Sequence, residues 1–162
     1  MSAPNRLPLR QQASLLRSRA LSPVELVEAH LREIRERNPA INAFVSVFEE
    51  EVLAAARVAQ DTEPRGPLHG VPVTVKDSFD IEGRPTLCGS RLRRGHRAAR
   101  DSAAVRRFRE AGAILLGKTN TPEFLYNWET DNHVTGRTNN PWDPTRTSGG
   151  SSGGEAAAIA AF

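Results

Sequence analysis

At 162 residues, with 38% apolar side chains, the chain is long enough for one domain with its own core. Its formal net charge of +3 marks no bulk polycation, and the one cysteine, Cys88, excludes an internal disulfide framework and fits a reducing compartment. No run is long and apolar enough to span a membrane and the first residues lack a signal-peptide core, so a cytoplasmic location is expected.

Leu9, Ala13, Leu16 and Ala20 recur at helical spacing and predict a first helix from Leu7 to Arg19. A second starts at Ser22, where Pro23 takes the first helical position and Glu25 completes a capping box. Its expected core stripe is Val24, Val27, Leu31 and Ile34, and Asn38-Pro39 is expected to stop it. Ala43 to Val47 reads as a short strand. Glu49 to Gln60 reads as a third helix with Val52, Leu53, Ala56 and Ala59 inward. After a Pro/Gly-rich connection, Pro72 to Lys76 alternates as a strand, Val73 and Val75 on one face, Thr74 and Lys76 on the other.

Arginines crowd the stretch from Arg84 to Arg109. With no aromatic residue among them before Phe108, they read as a solvated loop and outer helix face, and no nucleic-acid partner is expected. Asp101 or Ser102 caps a fourth helix that buries Ala104, Val105, Phe108 and Ala111. Gly112 ends it, and Ala113 to Leu116 follows as a strand apolar on both faces, hence internal. Helix, glycine, buried strand is the pattern of an α/β layer fold. From Asn127 to Ser148 the chain is polar, and so long a coil within a domain is usually functional.

That coil leads to Gly149-Gly150-Ser151-Ser152-Gly153-Gly154, which opens an alanine-rich helix. Two glycine pairs in six residues define a loop held on a fixed path, and a serine there serves as nucleophile, proton relay or N-cap. The helix from Glu155 to Phe162 is apolar all round after its first residue and has no closing signal. It is therefore expected to lie inside a larger body, the chain being a fragment. Lys76, at the end of an inward-bound strand, either reaches water or is a buried, neutral base. The serine run fits the nucleophile-elbow pattern literally, but Pro141 and Pro144 rule out the strand that must lead into it. No lysine follows the glycines as a Walker loop needs. His30, His69, His96 and His133 show no metal-ligand spacing and Cys88 stands alone, so no metal or other cofactor is expected.

Four blocks together resemble the amidase signature family: Gly66 to Asp77, Ala111 to Asn120, Gly136 to Trp142 and Gly149 to Glu155. The resemblance implies an α/β amidase-signature fold, a mixed central sheet flanked by helices, here its N-terminal third. Residues 1-162 would form one domain, with a helical segment 1-62 and a core segment 63-162. It further implies a hydrolase that cleaves carboxylic amides through a Ser–Ser–Lys triad. Lys76 matches the family lysine, and Ser151 the bridging serine that follows a cis peptide bond. Leu125, Tyr126, Gly149, Gly150 and Ser152 fall where substrate binding is expected, although Leu125 and Tyr126 fit ordinary packing equally. The family's attacking serine belongs to a further Gly-Gly-Ser block that this sequence lacks, and neither Ser148 nor Ser152 matches its place. The 162 residues alone are therefore expected to be inactive.

The expected partner is a small-molecule amide, with room for a homo-oligomer. Two alternatives stand beside the free amidase: the glutamine-hydrolysing subunit of a tRNA-dependent amidotransferase, and a non-catalytic remnant. Glu155, where transamidase subunits usually carry a small residue, favours the free amidase.

Overall fold

Three strands, β1 (Phe44–Val47), β2 (Pro72–Lys76) and β3 (Ile114–Thr119), make one mixed sheet in the order β1-β3-β2. β3 runs antiparallel to β1 and parallel to β2. The computed structural model describes residues 3–162, so residues 1 and 2 of the expected helical segment lie outside the described residues. The central place of β3 follows from its composition. It is buried at every position, and it continues past the expected Leu116 through Gly117, Lys118 and Thr119. Gly117 is required there, because a Cβ would meet the Ser46 backbone of β1.

Helix α4 (Ala103–Glu110) carries the chain from β2 to β3. Ser102 is its cap, with Oγ accepting from the Val105 N–H, and Gly112 turns out of the helix at a φ of 83°. Before the sheet stand α1 (Leu9–Arg17), α2 (Pro23–Ile41) and, between β1 and β2, α3 (Glu49–Asp61). The capping box of α2 forms as expected: Ser22 Oγ accepts from Val24 and Glu25, and Glu25 accepts from the Ser22 N–H. Val27, Leu31 and Ile34 of α2 meet Val52 and Ala56 of α3 in the main core with Val75, Ile114 and Leu116. Val24 is only partly buried.

Two helix expectations are corrected. Asn38-Pro39 does not stop α2, which runs on to Ile41. Proline forfeits only its own N–H bond, while Ile41 gains burial and Asn42, in the left-handed region, donates its N–H to Asn38 O at 2.7 Å. Asn38 then grips the start of β1 through both amide atoms, accepting from Phe44 N and donating to Phe44 O. In α1, Leu9 is exposed and Ala20 lies beyond the helix end. The inward place is taken by Gln12, whose amide donates to the Leu7 carbonyl at 2.9 Å.

The last helix, α5 (Gly153–Ala161), lies against β2 and β3. Ala157, Ala158 and Ala161 are buried and Phe162 meets Phe44 edge-on, 5.6 Å between ring centres. On its opposite face Ile159 is exposed within these 162 residues.

The stretch 127–148 holds neither helix nor strand, only an isolated bridge between Asn139 and Thr147. Its order comes from buried polar side chains. Asn120 donates to Gly136 O and Thr138 Oγ1, Asn132 donates to Thr121 O and Asn120 Oδ1, and Thr138 donates to Asn42 O. A network so fully satisfied fixes a coil as firmly as a ladder does. Several clustered arginines are likewise bound to carbonyls, Arg93 to Thr86, Arg91 to His133 and Arg97 to Gly83. No helix of the described residues is long and apolar enough to cross a membrane.

Candidate active site

Lys76 ends β2 on the face that α5 covers, in register with Thr119 of β3. Its Nζ lies 2.8 Å from Ser151 Oγ and 3.0 Å from Ser152 Oγ. The residue is 9% exposed. Burial lowers its pKa below the ordinary lysine value, with a smaller opposing effect from Cys88. Removing an ammonium from water disfavours the charged form, so the amine becomes more available as a proton acceptor.

The serine loop is fixed on all sides. The peptide between Gly150 and Ser151 is cis, and Gly149 has a φ of 80°. Thr121 Oγ1 donates to Ser151 O at 3.0 Å. Thr130 Oγ1 donates to Gly149 O and accepts from Gly153 N, both at 2.9 Å. Gly150 lies directly on the backbone of Asn127 to Glu129: a Cβ on it would fall 2.8 Å from the Trp128 carbonyl carbon and 2.9 Å from Asn127 O. Ser152 takes the N-cap position of α5 without a side-chain cap bond, leaving its hydroxyl to Lys76.

Glu155, in the first turn of α5, accepts from Thr74 Oγ1 of β2 and Thr119 Oγ1 of β3. One carboxylate thus ties both strands to the helix that follows the serines. On the other face of the sheet Lys118 meets Asp77 at 2.7 Å and donates to Thr86 Oγ1 and Pro85 O, each at 2.8 Å. Asp77 in turn accepts from the Leu87 N–H. Lys76 and Lys118 are the two lysines of the sequence, and the sheet takes both inside.

A cleft of about 560 Å³ opens beside the serine, lined by Leu125, Tyr126, Asn127, Trp128, Gly150 and Ser151. Of the residues expected at the site, the structure therefore joins Lys76, Ser151 and Ser152 in one cluster and sets Leu125, Tyr126 and Gly150 around the cleft. Gly149 stands behind the loop, its carbonyl committed to Thr130. The sequence reading missed the parts played by Glu155, Thr121, Thr130 and the Asp77–Lys118 pair. Lys118, a charge two residues past a strand expected to be apolar on both faces, was the available signal. Cys88 is half-buried at a φ of 49°, and burial raises its thiol pKa. Among the described residues no group of three or more His, Cys, Asp or Glu could hold a metal ion.

Known proteins carry the same architecture. An indoleacetamide hydrolase from Bradyrhizobium diazoefficiens is 47% identical over 92% of this chain. A glutamyl-tRNA(Gln) amidotransferase subunit from Acidothermus cellulolyticus is 44% identical over 93%. The chain spans 29% and 30% of those two curated relatives. The solved structure of 6-aminohexanoate cyclic dimer hydrolase superposes with a TM-score of 0.88 and 37% identity, covering 96% of this chain and 32% of that one. The family profile described as Amidase matches residues 25–162. The chain belongs to the amidase family.

Proposed function

We propose that these residues supply the base and the proton relay of a Ser–Ser–Lys amide hydrolase, which converts a small carboxylic amide to an acid and an amine or ammonia. The 2.8 Å approach of Lys76 Nζ to Ser151 Oγ, at the edge of an open cleft, carries the reading. In the proposed sequence the attacking serine hydroxyl gives its proton to Ser151 Oγ as Ser151 gives its own to neutral Lys76. The new C–O bond makes a tetrahedral intermediate. Protonated Lys76 returns the proton through Ser151 to the leaving nitrogen, the C–N bond breaks, and water later hydrolyses the acyl-serine to acid and free serine.

The attacking serine belongs to a second Gly-Gly-Ser block, absent from these 162 residues, and the chain by itself is proposed to be inactive. A chimera tests the assignment. This chain replaces the equivalent segment of the 47% identical indoleacetamide hydrolase, and amide turnover is measured. Lys76→Ala and Ser151→Ala should each lower kcat/KM by about 10²–10⁴-fold, the usual contribution of a positioned acid–base group. A chimera that is active and indifferent to Lys76→Ala would sink the proposal.

A second reading is the glutamine-hydrolysing part of a tRNA-dependent amidotransferase, favoured by the 44% identity to one of its subunits. It requires glutaminase activity that depends on added partner subunits. Simple amides hydrolysed without a partner favour the first.

A further inference from the structure

The ends of β2 and β3 grip the serine loop and the helix after it in the same order. On β2, Thr74 and Lys76 are two residues apart and share a face. Thr74 Oγ1 donates to Glu155, and Lys76 Nζ meets Ser151 Oγ at 2.8 Å. At the end of β3 and just past it, Thr119 and Thr121 repeat the spacing. Thr119 Oγ1 donates to Glu155 at 2.8 Å, and Thr121 Oγ1 donates to Ser151 O at 3.0 Å. Ser151 and Glu155, four residues apart along the chain, are thus each held by both strand ends. Those ends are themselves locked together, since Asp77 N donates to Thr119 O at 2.9 Å.

A carboxylate suits the place of Glu155 because it has two acceptor oxygens and no donor, and each threonine hydroxyl offers it one hydrogen. Without it Thr119 would keep only a 3.4 Å approach to Val75 O. The first turn of α5, otherwise Gly153, Gly154 and Ala156, would keep no polar side chain to hold either strand. The Lys76 amine responds to burial and, in opposition, to Cys88; the Glu155 carboxylate is not among these influences, so its effect is one of place rather than of charge.

We infer that Glu155 is a positioning residue for the proposed proton relay: by seating the start of α5 on both strands it keeps Ser151 Oγ within hydrogen-bond reach of Lys76. The inference rests on the hydrolase reading, because the distance it sets matters to catalysis only if that proton moves.

The indoleacetamide hydrolase chimera tests it. Glu155→Ala should lower kcat about 10²-fold with KM unchanged, the scale of a misplacement of about 1 Å. Its acid limb of kcat/KM should move to higher pH, as a loosened Lys76 regains water. Glu155→Gln should restore most of the rate and the original limb. Its carbonyl can accept from Thr74, its amide can donate to Thr119 Oγ1, and the Thr119 hydrogen can turn to Val75 O. Thr119→Val should reproduce part of the loss, and added to Glu155→Ala should cost little more.

Equal losses in the Gln and Ala variants would make the charge the active element and overturn the inference. So would a Glu155→Ala enzyme whose melting temperature falls while kcat and the pH profile stay put, since Glu155 would then only support the fold. Should Glu155→Ala not fold, the Gln and Thr119→Val variants decide by the same criteria. Turnover that needs Lys76 but not Glu155 would fault this inference alone. Turnover indifferent to Lys76→Ala would fault the hydrolase reading and this one with it.

Discussion

Asp77 and Lys118 face each other 2.7 Å apart with side chains only 7% and 2% exposed, joining the turn after β2 to the middle strand. The remaining valences are filled, since Lys118 also bonds Pro85 O and Thr86 Oγ1 and Asp77 accepts from Leu87 N. Such a pair gives little net stability over an apolar replacement, but breaking one half strands a buried charge.

Lys118→Met alone should therefore lower the unfolding free energy by about 3–5 kcal/mol. The double variant Asp77→Leu/Lys118→Met should recover much of that loss. Urea unfolding followed by circular dichroism gives both values. Equal losses in single and double variants would show that the charges do not depend on each other.

Lys76 should leave a signature at alkaline pH. Its pKa is lowered by burial, so below the lowered value the folded protein bears the full cost of an enclosed ammonium. The unfolded chain holds that proton up to the ordinary lysine value. Stability relative to Lys76→Met should thus rise with pH, starting as pH passes the folded pKa and ending at the ordinary value. Unfolding curves for both proteins from about pH 7 to about pH 10.5 measure the trend. A difference that stays flat would mean that the amine is solvated. Side-chain ¹⁵N spectra follow the same proton directly, with only two lysines to assign.

His30 should contribute to the acid sensitivity of the fold. Burial, helped by Arg6, lowers its pKa to about 4, and its Nε2 has no hydrogen-bond partner among the described residues. The unfolded imidazole binds its proton near pH 6.5, so stability is present above that value and is lost as pH falls toward 4. The loss should approach about 3 kcal/mol, each pKa unit being worth about 1.4 kcal/mol. In His30→Phe this part of the acid transition should disappear, as read from melting temperatures across the same acid range. An unchanged profile would assign the acid loss to other groups.

Gly154→Ala sets helix propensity against packing. Alanine in α5 would gain about 1 kcal/mol by propensity. Its Cβ, however, would lie 2.6 Å from Asn120 O and 2.8 Å from Ala43 O, both backbone atoms that cannot swing aside. Overpacking of this kind typically costs about 1–3 kcal/mol, so the variant should be destabilised on balance. A raised melting temperature would show that α5 can lift from the sheet without cost.

Much of this was legible in the chain. The capping box at Ser22, the alternation from Pro72 to Lys76 and the double-sided apolar run at Ile114 are local patterns, and each became the expected element. The extension of α2 past Pro39 was not legible, because the burial of Ile41 and the left-handed turn at Asn42 depend on where the sheet sits. The glycine pairs marked a constrained loop, but its threonine braces come from 19 to 30 residues upstream. Glu155 read as the one residue of its helix that is not apolar, and only the packing of α5 on two strands makes it a clamp. Hydrophobic period reveals faces; it does not reveal which polar groups meet across them.

With both lysines enclosed by the sheet, the folded surface offers its positive charge almost entirely as guanidinium. An endoprotease that cuts after lysine would have no accessible bond until the strands part, and would then divide the chain after residues 76 and 118. Trypsin, which also accepts arginine, would cut first at exposed arginines such as Arg19. The ratio of the two cleavage rates thus separates whole-molecule opening from local opening, with no label or mutation added.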